Sequence, residues 1–121
     1  FAQMVLNGGE LDGARILSPT TVALMTQNQM PRDNPERAPG AGFGLDFSVQ
    51  LDAVGSEYVS VGEYGWGGAA GTWFWVDPVE DLIFVGMIQQ RGGGRPDVRG
   101  ISHRLTYQAI TESAAEFAQD H

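Results

Sequence analysis

The 121-residue sequence predicts an α+β fold in which an antiparallel sheet is covered by N-terminal and C-terminal helices. Three observations predict it. Helical spacing is confined to the two ends of the chain, alternating or aromatic apolar runs fill the middle, and the joints between those runs carry Gly, Pro and Asp turn residues. A chain of this length with 42% hydrophobic residues is one domain by size and can bury roughly 65% of the surface its unfolded form exposes.

The elements follow in order. Phe1, Met4 and Val5 share a helical face with Leu6 beside it, and Gly8-Gly9 stop that helix in the C-cap position. The chain opens at Phe1 inside this helix and without Met, so residues 1–121 read as a single domain or a fragment of something longer. Asp12-Gly13 between Leu11 and Ile16 predicts a tight turn. Ser18-Pro19 starts a second helix to about Gln27, the hydroxyl taking an orphan N–H and Pro19 presetting φ; it should bury Val22 and Met25 with help from Leu24. Pro31, Pro35 and Pro39 make a surface loop.

Phe43, Leu45, Phe47, Val49 and Leu51 alternate with polar or small residues, which predicts one strand. A weaker strand is expected over residues 54–62, on Tyr58, Val59 and Val61, leading into Glu63 and the Tyr64–Gly68 stretch. Thr72 to Val76 is an aromatic strand, Asp77 to Asp81 a turn, and Leu82 to Ile88 a buried strand, giving an antiparallel meander of about four strands. After the Gly92–Gly94 break, Val98, Ile101, Leu105, Ala109, Glu112 and Phe117 sit near helical spacing on a long final helix.

Composition excludes several functions. Fifteen acidic residues against seven basic ones give a net charge of −8, so a phosphate backbone is repelled and nucleic acid is not an expected partner. All seven basic residues are Arg; the absence of Lys removes the P-loop lysine, the Schiff-base lysine and a Ser-x-x-Lys nucleophile pair. Without Cys there is no disulfide framework and no thiol nucleophile, and the compartment stays open. No apolar run approaches the ~18 residues of a membrane span.

Some motifs are decoys. Gly65 to Ala70 fits Gly-x-Gly-x-x-Ala, yet a strand rather than a helix follows, so no dinucleotide cofactor is expected. Gly100 to Arg104 half resembles a nucleophile elbow but ends in Arg, and adjacent Ser102 and His103 do not face each other; the plain reading is a solvated helical turn. Asp77, Glu80 and Asp81 fit either a calcium loop or, more simply, a solvated acidic turn, and the two imidazoles, His103 and His121, lack metal-ligand spacing.

The glycines of Gly65-Trp66-Gly67-Gly68-Ala69 weaken a ladder, which leaves two causes: a bulge, or close approach of the backbone to another group. An N–H exposed beyond them can stabilise the charge on a tetrahedral intermediate. For Trp66 itself the plain reading is a large core aromatic.

This stretch, continuing through Thr72 to Pro78, resembles the serine β-lactamase and penicillin-binding-protein superfamily, in particular the class C-like branch that includes the family VIII carboxylesterases. Gly8 to Pro19 is similar to that branch's helix, loop and Leu-Ser-Pro helix start, and Gly42-Phe43-Gly44-Leu45 to its Tyr-Gly-Leu-Gly strand. The resemblance implies the C-terminal portion of a β-lactamase or transpeptidase-like fold. It also implies a serine hydrolase working through an acyl-enzyme on a small-molecule ester or lactam, with no cofactor and no metal.

Carried over by motif, Trp66 stands where the lactamases have Lys, Gly67 and Gly68 line the substrate strand, and the Ala69 N–H is one oxyanion donor. The nucleophile, its Lys and the motif Tyr have no match, so the resemblance assigns them to an N-terminal part of the same enzyme and expects this chain alone to be inactive. Trp66 in place of a cation favours uncharged esters over anionic lactams. The rival reading is a non-catalytic binding or self-association module using the same sheet. A large apolar patch left open on one sheet face is the expected mark of an absent covering segment.

Overall fold

The computed structural model describes residues 1–53, 59–94 and 96–115. Helix α1 (Ala2–Leu6) leads through Gly8 and Gly9, both at positive φ, into the hairpin of β1 (Glu10–Leu11) and β2 (Ala14–Arg15). The tight turn falls where expected, with Asp12 and Gly13 both left-handed. Helix α2 (Pro19–Thr26) is capped by Ser18, whose hydroxyl accepts the Thr21 N–H at 3.1 Å. It buries Val22, half-buries Met25, and leaves Leu24 exposed, against expectation.

A five-stranded antiparallel meander follows: β3 (Ala41–Phe43), β4 (Ser48–Gln50), β5 (Tyr64–Gly67), β6 (Trp73–Asp77) and β7 (Leu82–Gly86), in spatial order 3-4-5-6-7. The run expected as a single strand is instead the β3–β4 hairpin. Gly44 donates its N–H to Phe47 O at 2.8 Å and Asp46 turns left-handed at φ +70°, so the chain reverses inside the alternating pattern. Phe47 and Val49 go into the core while Leu45 stays exposed. Residues 59–62 form no strand: Val61 is exposed and Gly62 sits in a turn at φ +94°, while the rest of the weaker predicted strand lies outside the described residues.

Alternation on the strands builds two faces. Tyr64, Phe74, Val76 and Ile83 face α1 and α2 and pack with Met4, Val5, Val22, Phe47 and Val49 as the core. Trp73, Trp75 and Asp77 face the other way, toward α3 (Val98–Gln108), where the His103 ring lies 4.9 Å from that of Trp75. The sheet is thus flanked by helices on both sides, as predicted, but α3 packs differently. Ile101 and Leu105, expected inward, are exposed, and the buried residue is Tyr107. The helix ends at Gln108, short of the predicted extent; Phe117 lies outside the described residues.

Candidate functional site

The glycines of β5 are there for close approach. The register runs unbroken from Tyr64↔Val76 to Gly67↔Trp73, so there is no bulge on this strand pair. A Cβ on Gly65 would stand 2.2 Å from the Phe74 carbonyl oxygen, and one on Gly67 would stand 2.8 Å from Arg99 Nη1. The first contact is with backbone and leaves room for glycine alone; the second is with the tip of a long side chain reaching over from α3.

Beyond Gly67 the hairpin closes with Gly68 N–H donating to Thr72 O at 2.7 Å and Gly71 N–H to Gly68 O at 3.0 Å. These turn bonds use the amides of Gly68 and Gly71 and pass over that of Ala69, which is solvent-exposed past the end of the ladder. Pairing with β4 ends at Gly65, so Trp66 and Gly67 have no ladder partner on that side.

Trp66 is 45% exposed and is therefore no core aromatic. Its ring meets Phe43 edge-on with centroids 5.2 Å apart, and the Arg37 guanidinium lies 4.3 Å from the Phe43 ring and 5.9 Å from that of Trp66. A groove of about 430 Å³ opens beside it, walled by Phe1, Trp66, Phe74, Val85 and Met87. Phe1, Val85 and Met87 are exposed as well, so this half of the sheet face carries an apolar patch that α1 and α2 do not cover. A second pocket of about 370 Å³, with Asp97 and Arg99 in its wall, opens on the α3 side; the two share Gly67, Gly68, Thr72 and Trp73. The predicted motif thus forms the ridge between an apolar and a polar cavity.

Next to this ridge lies a polar cluster that sequence reasoning misses. Tyr107 Oη is 2.5 Å from Glu63 Oε2 and 2.6 Å from Asp77 Oδ2. His103 Nε2 stands 2.9 and 3.1 Å from the two Glu63 oxygens, and its ring makes tilted contacts with those of Trp75 and Tyr107. Because a carboxylate only accepts, Nε2 is the protonated nitrogen whenever Glu63 is ionised. Burial and the two carboxylates push the Tyr107 phenol well above the usual tyrosine range.

The His103 side chain is therefore not solvated, and of the three acids in the Asp77–Asp81 turn only Asp81 is exposed. Asp77 is fully buried, its Oδ1 accepting the Val79 and Glu80 amides, and Glu80 is buried and accepts from Ser113 and Ala114. Among the described residues no group of His, Asp and Glu could hold a metal. The cluster has a positional consequence. Arg99, His103 and Tyr107 are four residues apart on one face of α3, so the ties at His103 and Tyr107 set where Arg99 falls, against Gly67.

Arg37, Phe43 and Arg99 were not legible as site residues: they lie 23 to 33 positions from Trp66 in sequence, and only the sheet order and the α3 packing bring them in. Two of them also bring positive charge to this strand, the Arg37 guanidinium near the Trp66 ring and that of Arg99 at Gly67.

Relatives carry the same segment. "Protein Rv1367c" of Mycobacterium tuberculosis (strain ATCC 25618 / H37Rv) and "Uncharacterized protein MT1414" of Mycobacterium tuberculosis (strain CDC 1551 / Oshkosh) are each 38% identical to the chain over 100 residues, covering 74% of it. The chain spans about a quarter of the length of either, 25%. Among solved structures it is similar to "EstCE1, a hydrolase with promiscuous acyltransferase activity", with TM-score 0.51, 33% identity, and coverage of 61% of this chain and 19% of that one. The fold is that of a serine hydrolase of the β-lactamase type, and with the Beta-lactamase family profile matching residues 1–108, the chain belongs to the Beta-lactamase family.

Proposed function

We propose that the chain is the C-terminal active-site segment of an acyl-enzyme serine hydrolase acting on small-molecule esters, with Trp66, Gly67 and Gly68 as the substrate strand. The Ala69 N–H is one of two oxyanion donors, and the attacking hydroxyl comes from polypeptide preceding Phe1. The observation that carries the reading is the amide of Ala69: it stands past the ladder, is passed over by the turn bonds, and directly follows Gly67 and Gly68, which line both cavities. An N–H held by a closed hairpin is preorganised, so it stabilises a developing oxyanion without reorganising during the reaction.

The open apolar face around Trp66, Phe74 and Val85 supports the second half of the reading, since a segment packed there would complete the core and bring its nucleophile to the ridge. The likeness to EstCE1, a hydrolase with promiscuous acyltransferase activity, supports acyl transfer. Trp66 where the lactamases have Lys supports ester over lactam.

The test is hydrolysis of p-nitrophenyl butyrate by the full-length protein, with a fluorophosphonate probe to locate the acylated serine by peptide mass spectrometry. The expected label falls on a serine before Phe1, and the 121-residue chain alone is inactive. Turnover by the chain alone, abolished by replacing one of its own serines, overturns the reading, as does a full-length protein that neither turns over the ester nor takes the label.

A further inference from the structure

The loop between α2 and β3 is ordered by its own sequence. Asn28 Oδ1 accepts the Met30 and Phe43 amides at 3.1 and 3.0 Å, and the Gln29 N–H donates to Phe43 O at 2.8 Å, so the root of the loop is tied to β3, the outermost strand of the sheet. Pro31, Pro35 and Pro39 restrict the backbone beyond it. Asn34 then turns the chain, taking the Glu36 amide on Oδ1 and the Arg37 amide on its carbonyl. Of residues 31–39 only Asn34 and Arg37 are half-buried; the others are exposed. What this loop delivers to the sheet is the Arg37 guanidinium, 4.3 Å from the centre of the Phe43 ring and 5.9 Å from that of Trp66, while Phe43 meets Trp66 edge-on at 5.2 Å. Pairing of β4 with β5 ends at Gly65, so no β4 residue stands opposite Trp66, and Phe43 from the next strand reaches its ring instead.

We propose that Phe43 and Arg37 are positioning residues that set, through Trp66, how bulky a group the substrate can place in the groove beside it. Neither lines that groove of about 430 Å³; Phe43 touches the ring that does, and Arg37 holds Phe43. This deepens the hydrolase reading and rests on it. A tryptophan that is 45% exposed past the end of a ladder has more than one staggered orientation open to it. The edge contact with Phe43 and the cation over both rings select one. With them in place the wall is fixed and bulk is discriminated against; without them the ring yields toward the vacated space and a larger group fits.

The experiment compares two matched pairs of esters on the full-length enzyme. p-Nitrophenyl acetate is set against p-nitrophenyl benzoate, with the bulk on the acyl group, and phenyl acetate against 2-naphthyl acetate, with the bulk on the leaving group. In at least one pair, Phe43→Ala raises the bulky-to-small ratio of kcat/KM about tenfold. Phe43→Leu, which keeps apolar bulk but loses the ring contact and is the variant to use where Phe43→Ala does not fold, raises it about threefold. Arg37→Gln raises it about two- to fivefold, and Arg37→Lys, which keeps a cation within reach of the rings, stays nearer the wild type. Both esters of a pair are read on one preparation, so a loss of folded enzyme leaves the ratio where it was. A ratio unchanged in both pairs for either Arg37→Gln or Phe43→Leu, with the acetates still turned over, overturns the inference and leaves the hydrolase reading standing. No turnover of any of the four esters by the wild type overturns both.

Discussion

Replacing Tyr107 by Phe removes one oxygen and keeps the ring that packs 4.6 Å from His103. That oxygen lies 2.5 Å from Glu63 Oε2 and 2.6 Å from Asp77 Oδ2, and Asp77 is fully buried, with its other oxygen already taken by two backbone amides. A hydrogen bond to a charged group contributes ~1.5–3 kcal/mol, and an acceptor left buried without its donor costs a comparable amount. A single phenolic proton serves one carboxylate at a time, so the loss is counted once, at about 2–3 kcal/mol. For a domain of this length that corresponds to a fall in Tm of roughly 8–15 °C. Urea unfolding followed by tryptophan fluorescence reads it as a lowered midpoint at unchanged slope. A loss below about 0.5 kcal/mol would mean that the phenol does not hold α3 to the sheet, and the argument that it sets the position of Arg99 would go with it.

Two further predictions concern the same strand. Gly65→Ala drives a methyl into the Phe74 carbonyl, a contact with backbone that only a shift of the strand pair relieves, and should cost upwards of ~3 kcal/mol in urea unfolding. Gly67→Ala meets only the end of Arg99 and should cost less than about 1 kcal/mol; equal losses in the two variants would refute the packing argument. Burial pushes the Tyr64 phenol up to about 12, above the ~10 of an unfolded chain. Its contribution is therefore complete below pH 10 and is lost as pH rises from 10 through 12, about 2–3 kcal/mol in all. In Tyr64→Phe the urea midpoint should fall less steeply over that window, and an alkaline limb identical to the wild type would contradict the assignment.

Local chemistry made much of the fold legible in the sequence. The Asp12-Gly13 turn, the Ser18-Pro19 helix start and the Gly8-Gly9 stop each rest on a rule that acts within four residues, and each stands in the structure. Where the signal was periodicity alone, tertiary packing overrode it. The alternation from Phe43 to Leu51 is the same whether the chain runs straight or folds back, because Phe47 and Val49 reach the core from the returning strand. On α3 the apolar stripe of Ile101 and Leu105 implied burial, yet the sheet offers Glu63 and Asp77 on that side, and His103 and Tyr107 are the residues that can satisfy them. Hydrophobic spacing cannot see a polar partner about 40 residues away in the chain.

The same limit explains what was found and missed at the site. Trp66 to Ala69 is a local signal, four residues whose glycines contradict strand propensity and so demand a neighbour. That demand was readable, but the neighbours were not: the Phe74 carbonyl at Gly65 comes from the next strand, and Arg99 at Gly67 from a helix on the far side of the hairpin. The cations near the strand were hidden for the same reason, since Arg37 and Arg99 lie far from Trp66 in sequence. Charge at a site is set by which side chains converge on it, and here Arg37 from the proline loop lies 5.9 Å from the Trp66 ring while Arg99 from α3 meets Gly67.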